Sequence, residues 1–126
     1  MLSVIFKTAM QEQSLDILVG EKLSSVTFVL DYLQVDFDGN QFTFYIWPTV
    51  FVDGEKYEFG EMFYRDKLCS LIAKVVVSAT YVENDTLEIN FGNSDKLKLS
   101  LESANPDIVA EIATFTDVDG KWYVFE

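Results

Sequence analysis

Leu15-Asp16-Ile17-Leu18-Val19-Gly20, continuing to Ser25-Val26-Thr27-Phe28-Val29, reads like Leu68-Cys69-Ser70-Leu71-Ile72-Ala73, continuing to Ser78-Ala79-Thr80-Tyr81-Val82. The offset between the two stretches holds at 53 residues. It slips once, so that Leu33-Gln34-Val35-Asp36-Phe37 faces Leu87-Glu88-Ile89-Asn90-Phe91. A second slip sets Phe42-Thr43-Phe44-Tyr45-Ile46 against Leu97-Lys98-Leu99-Ser100-Leu101. Slips that fall only at turns are what two copies of one structural unit produce. Two copies are too few for a solenoid, which needs three or more.

Each copy reads as a helix followed by three strands. Leu15, Leu18 and Val19 lie at i, i+3 and i+4, with Ser14 as a cap and Gly20 as a stop. Leu68, Leu71 and Ile72 repeat the spacing, in a helix expected to begin near Glu61. Val26 to Leu30 and Val75 to Val82 are rich in β-branched and aromatic residues, which suit strands. Leu33, Val35 and Phe37 alternate with Gln34, Asp36 and Asp38, the period of a half-buried strand. Asp38-Gly39-Asn40 and Gly92-Asn93-Ser94 supply turns, because Gly and Asn tolerate positive φ. A third strand closes each copy.

Outside the copies, Val50 to Val52 reads as a short strand and Asp53-Gly54 as a turn. Asn105-Pro106-Asp107 carries an Asn cap, Pro at the first helical position and an acid on the helix dipole, which predicts a C-terminal helix over 106–113. Asp119-Gly120 then turns the chain into a last strand, 121–125, and residues 1–9 lean towards strand. The expectation is one α+β domain, 1–126, with an internal repeat over about 14–47 and 67–102. Its antiparallel sheets or open barrel come from a duplicated helix–three-strand unit, followed by a C-terminal helix and strand.

Composition limits the function classes. Hydrophobic residues make up 49% of the chain and 11 of its residues are Phe, which points to a well-filled core, a flat aromatic binding face, or both. The net charge of −12 repels phosphate backbones and favours a basic protein partner, so no nucleic acid is expected. Leu2 to Phe6 is a short apolar run with Lys7 after it rather than before, unlike a signal peptide. No run approaches the ~20 apolar residues of a membrane-spanning helix, so neither a membrane nor export is expected, and the cytoplasm is the default. The one cysteine, Cys69, cannot pair within the chain and is expected to be a half-buried small residue.

Catalytic constellations are weak. The chain has no His, which removes the usual general base and the His-containing triads and zinc sites. Pro106-Asp107 with Asp119-Gly120-Lys121 fits the loose pattern of metal-dependent nucleases, but in a helix start and a turn, within an acidic chain. Asp36-Phe37-Asp38-Gly39 and Asp117-Val118-Asp119-Gly120 place Gly fourth, not sixth as a calcium loop requires, and read as hairpin turns. No catalytic residue, cofactor or metal is expected.

The candidate partner surface lies in the first copy. The strand face carrying Lys96, Lys98 and Ser100 in the second copy carries Thr43, Tyr45 and Trp47 in the first, so that strand is apolar on both sides and needs a cover. The cover is the chain itself or a partner, a second copy included. From Asp31 to Asp66, eight acids face Lys56 and Arg65, a net of −6. Tyr45 and Trp47, with Asp36, Asp38, Glu55, Glu58 and Glu61, are the candidate binding residues.

The stretch Phe59-Gly60-Glu61-Met62-Phe63-Tyr64-Arg65-Asp66-Lys67-Leu68-Cys69-Ser70-Leu71-Ile72, with the hairpins around it, resembles a group of small bacterial proteins, some regarded as immunity or antitoxin components. The resemblance spans about 15–101 and is structural, so it transfers no functional residue. It implies a non-enzymatic protein that acts by binding; taken with the acidic charge, the first expectation is a protein-binding module of the immunity type that inhibits a basic partner. Two other classes compete: a β-barrel-like carrier whose Phe residues line an apolar cavity, and the nuclease-like enzyme.

Overall fold

The computed structural model describes residues 15–82, 85–101 and 112–125. They form ten strands and one short helix: β1 (Ser25–Val29), β2 (Tyr32–Phe37), β3 (Asn40–Phe44), β4 (Thr49–Val52), β5 (Glu55–Tyr57), α1 (Tyr64–Cys69), β6 (Ser78–Val82), β7 (Thr86–Gly92), β8 (Asp95–Ser100), β9 (Ala113–Thr116) and β10 (Trp122–Phe125). All strand pairs are antiparallel. One sheet runs β1-β2-β3-β9-β10 and the other β5-β4-β8-β7-β6. Each sheet is therefore a three-stranded meander completed by a hairpin that lies far away in sequence.

This overturns the α+β class and its duplicated helix–three-strand unit. The molecule is mostly β, and neither half builds a sheet alone. Of the first expected helix, Leu15 and Asp16 are helical and residues 17–20 form a turn. The second begins at Tyr64 rather than near Glu61, and residues 70–73 again turn. Apolar residues at i, i+3 and i+4 fill one helical turn as readily as a long helix. Nucleating a helix fixes several residues for one hydrogen bond, so such short stretches extend only if packing rewards it. Residues 1–9 and most of the expected C-terminal helix lie outside the described residues, but Ala113, its last expected residue, opens β9.

The alternation in the sequence is realised strand by strand. Leu33, Val35 and Phe37 of β2, Phe42 and Phe44 of β3, Leu87, Ile89 and Phe91 of β7, and Leu97 and Leu99 of β8 are all buried. They join a single core with Val50, Val52, Phe115, Tyr123 and Phe125. Phe42 touches Phe115 at 4.6 Å between ring centroids and Phe44 at 5.3 Å, and Phe37 meets Phe91 of the other sheet at 6.3 Å. These rings fill the space between the sheets by packing on one another, each pair adding about 0.5–1.5 kcal/mol beyond its buried area. Among the described residues no helix is long and apolar enough to cross a membrane.

The two meanders are tied together ahead of their first strands. Gly20 N–H donates to Val76 O (2.8 Å), and Ala73 N–H donates to Leu23 O (2.7 Å). Val76 N–H donates to Glu21 O (2.8 Å), and Leu23 N–H donates to Lys74 O (3.0 Å). The segments 20–23 and 73–76 thus run antiparallel, with Lys22 and Val75 opposite each other. Gly20 and Ala73 hold matching positive φ angles of 88° and 79° where the chain turns into this ladder.

The completing hairpins are anchored in parallel ways. Asn40, buried at the start of β3, accepts the Val118 N–H from the β9–β10 turn (3.1 Å). Asp95, buried at the start of β8, accepts the Asp53 N–H from the β4–β5 turn (3.0 Å) and pairs with Lys74. Burial disfavours the Asp95 carboxylate, but the hydrogen bond from Lys74, the Asp53 N–H and the Lys74 charge outweigh it and hold its pKa below the ordinary value.

Two measurements test this anchoring. Gly39 has φ of 103°, and a Cβ there would come within 2.8 Å of Val118 Cγ1. Gly39→Ala is expected to lower the urea unfolding free energy by about 2–3 kcal/mol with an unchanged m-value. A carboxyl with a depressed folded pKa contributes stability above its unfolded value, near 4, and loses it as pH falls through the folded one. Asp95→Asn should therefore cost about 1–2 kcal/mol at pH 7, and the gap to the parent should close as unfolding is measured at successively lower pH below about 4.

Candidate docking surface

The chain leaves β3 at Phe44, bends through Tyr45 and Ile46, and enters β4 after Trp47 and the buried Pro48. Thr43, Tyr45 and Trp47 therefore do not share a strand face. Thr43 lies opposite Gln34 and Thr114 in the sheet, and Gln34 Nε2 donates to Thr43 Oγ1 (3.4 Å), so the outer side of β3 there is polar. The expected two-sided apolar strand is corrected: the apolar continuation belongs to the bend.

Trp47 is covered from within. Its indole stacks on Phe59 at 4.1 Å with an interplanar angle of 15°, and on Phe28 at 6.2 Å and 16°. Tyr64, the first residue of α1, supports this stack edge-on, meeting Phe59 at 5.8 Å and Trp47 at 6.5 Å. Its hydroxyl donates to Pro48 O at 2.5 Å, fixing the helix to the bend. Burial raises the Tyr64 phenol well above its ordinary pKa, so it stays a donor at any physiological pH. The Arg65 guanidinium lies 5.8 Å over the Phe28 ring and the Lys67 ammonium 5.7 Å over Tyr57.

The loop between β5 and α1 carries the other members of the surface. Glu58 N–H donates to Glu61 Oε1 (2.6 Å), and Glu61 N–H donates back to Glu58 O (3.0 Å). This closed loop has Gly60 at φ 95° and ends at Phe63, a bulky residue in the left-handed region (φ 71°, ψ 1°) with no side-chain cap. Such a conformation costs a non-glycine residue about 1–2 kcal/mol. It holds Met62 and Phe63 out to solvent, 77% and 57% exposed, beside Phe59 at 47%. Tyr45 and Ile46 are also exposed, with Tyr45 6.0 Å from Tyr32.

The candidate residues separate into two groups. Trp47 is joined through Phe59 to the loop of Glu58 and Glu61, and Tyr45 lies two residues before it. Glu55 opens β5 and is exposed. Asp36 and Asp38 lie at the other end of the β2–β3 hairpin. There Asp36 Oδ1 accepts the Gly39 N–H (2.7 Å) and the Ser24 hydroxyl (3.1 Å), and Asp38 forms the turn at φ 54°. Sequence reasoning missed Phe28, Phe59, Met62, Phe63 and Tyr64. The available signal was Phe59, Met62 and Phe63 crowded around Gly60 without strand or helix period; Tyr64 beside them belongs to the core.

Other candidates fall into turn chemistry. Asp117 Oδ1 accepts the N–H groups of Asp119 and Lys121 (2.9 Å each), which organises the β9–β10 turn, while Pro106-Asp107 lies outside the described residues. Among the described residues no three Asp, Glu or Cys side chains converge as a metal site would need. Cys69, expected to be half-buried, is exposed at the end of α1. The chain matches no family model, no curated protein and no solved structure.

Replacing Tyr64 by Phe leaves the buried Pro48 carbonyl without its donor and should cost about 1–3 kcal/mol in chemical unfolding. Phe63→Gly relieves the left-handed backbone at an exposed site. A gain of about 0.5–1 kcal/mol is expected after glycine's own entropy cost, read as a rise in Tm.

Proposed function

We propose that the chain is a non-enzymatic, acidic protein-binding module of the immunity or antitoxin type, which captures a basic protein partner. The observation that carries this reading is the exposure of Phe59, stacked on Trp47, together with Met62 and Phe63 on the same loop as Glu58 and Glu61 and with Tyr45 and Ile46 on the bend that leads to Trp47. Monomeric proteins rarely expose several large apolar side chains together, and aromatic anchors surrounded by polar groups are how interfaces concentrate their energy. The strained Phe63 backbone supports it too, since strain of this kind clusters at ligand clamps and active sites as well as at structural turns.

The sign of the charge selects the partner. At −12 the chain attracts basic surfaces and repels nucleic acid and a second copy of itself, so the homodimer is the weaker reading. Absence of His leaves general acid–base chemistry without its usual agent, which favours binding over catalysis. The unpaired Cys69 suits a reducing compartment such as the cytoplasm. The carrier reading gains nothing from the core, whose Phe rings contact one another.

The test is an affinity capture from lysate with the parent chain and with Met62→Asp/Phe63→Asp, followed by salt elution. The parent should retain a protein of basic isoelectric point that the double variant loses and that elutes as ionic strength rises. Retention of the same protein by both, or of an acidic protein that ignores salt, would contradict the reading.

A further inference from the structure

Four groups form a ladder on this surface. Arg65 lies over Phe28 (5.8 Å), Phe28 stacks on Trp47 (6.2 Å, 16°), and Trp47 stacks on Phe59 (4.1 Å, 15°). One end of the ladder already holds a guanidinium from this chain. The other end is Phe59, with Trp47 against one face and Tyr64 perpendicular to it at 90°. Phe59 is 47% exposed, so at this end of the ladder the ring is only partly covered by its neighbours.

We infer that the outer face of Phe59 is the seat for an arginine side chain of the basic partner, clamped by the carboxylates of the Glu58–Glu61 loop. The inference rests on the protein-binding reading and names the partner group that reading left open. A ring face carries negative potential and attracts a cation, and a planar guanidinium also stacks where an ammonium cannot. Among the described residues three rings carry a cation of the chain itself: Phe28 under Arg65, Tyr57 under Lys67 and Phe51 under Lys96. Phe59 stands next to Glu58, on a loop with Glu61, and has no such cation over it among the described residues. Glu61 Oε1 is fixed by the Glu58 N–H, so its carboxylate is held in the loop before any partner arrives. Preorganisation of this kind lowers the ordering cost of binding.

The probe is a short capped peptide with three arginines spaced by glycines, compared with its lysine counterpart, titrated into the full chain. The indole N–H resonances of the two tryptophans, Trp47 and Trp122, are followed by NMR. Trp122 lies on β10 and serves as the internal control. The expected result is a shift of Trp47 but not Trp122, with the arginine peptide binding severalfold tighter than the lysine one. Phe59→Leu should weaken the arginine peptide by about fivefold to tenfold and abolish the arginine preference, leaving Trp122 unmoved as evidence of an intact fold. Glu58→Gln, which keeps the loop's backbone hydrogen bonds, should weaken both peptides alike.

If the arginine peptide binds Phe59→Leu as it binds the parent, or shifts Trp122 instead, the seat is wrong while the acidic binding module stands. If neither peptide perturbs the parent at low ionic strength, the seat and the module both fall.

Discussion

Four backbone hydrogen bonds between 20–23 and 73–76 hold this molecule in its shape. Each bond has a counterpart in which donor and acceptor have exchanged segments, so the ladder reads the same from either side. It fixes where β1 and β6 start, and with them the two meanders whose inner faces make the core. Leu23 and Val76, the buried residues of the two segments, each use both backbone groups in these bonds, which leaves the segments little choice of register. Gly20 and Ala73, both in the left-handed region, turn the chain into the ladder at its two ends.

The hairpins then close the sheets crosswise. Asn40 and Asp95, buried at equivalent points at the start of β3 and β8, each take an N–H from the neighbouring hairpin turn. A buried polar side chain is costly unless bonded, so these two contacts specify the arrangement as well as stabilise it. The bend from β3 to β4 is a by-product of this crossing. It pushes Tyr45, Ile46 and Trp47 out of the sheet, and α1 is pinned beneath them by Tyr64. These side chains stand exposed because the chain must leave one sheet for the other at this point.

Strands were more legible in the sequence than helices, for a physical reason. Alternation such as Leu33, Val35, Phe37 commits every second side chain to one face, and the burial of β2 follows it residue by residue. Turn pairs such as Asp53-Gly54 announce themselves through positive φ. The spacing of Leu15, Leu18 and Val19 commits far less, since a single turn satisfies it. Sheet membership was illegible, because local pattern carries no record of which distant hairpin completes a sheet. The candidate surface was half legible: Tyr45, Trp47, Glu58 and Glu61 stand out as rings and charges, whereas the stacking of Phe59 on Trp47 and the strain at Phe63 arise only from packing. Asp36 and Asp38 carried the same acidic signature as the others, yet Asp36 is taken up in stapling its turn.

The crosswise closure also governs how the chain reaches this state. Each meander is local and can form early, but β3 must wait for β9, and Gln41 pairs with Thr116 across most of the chain. Contacts between residues so far apart in sequence form late, because the entropy of closing the intervening loop is lost before the pairing gives anything back. Until β9 arrives, the inner edge of β3 is an unprotected strand. The molecule is consequently exposed to mispairing from the moment its meanders form, and that vulnerability ends only when the last hairpin is in place.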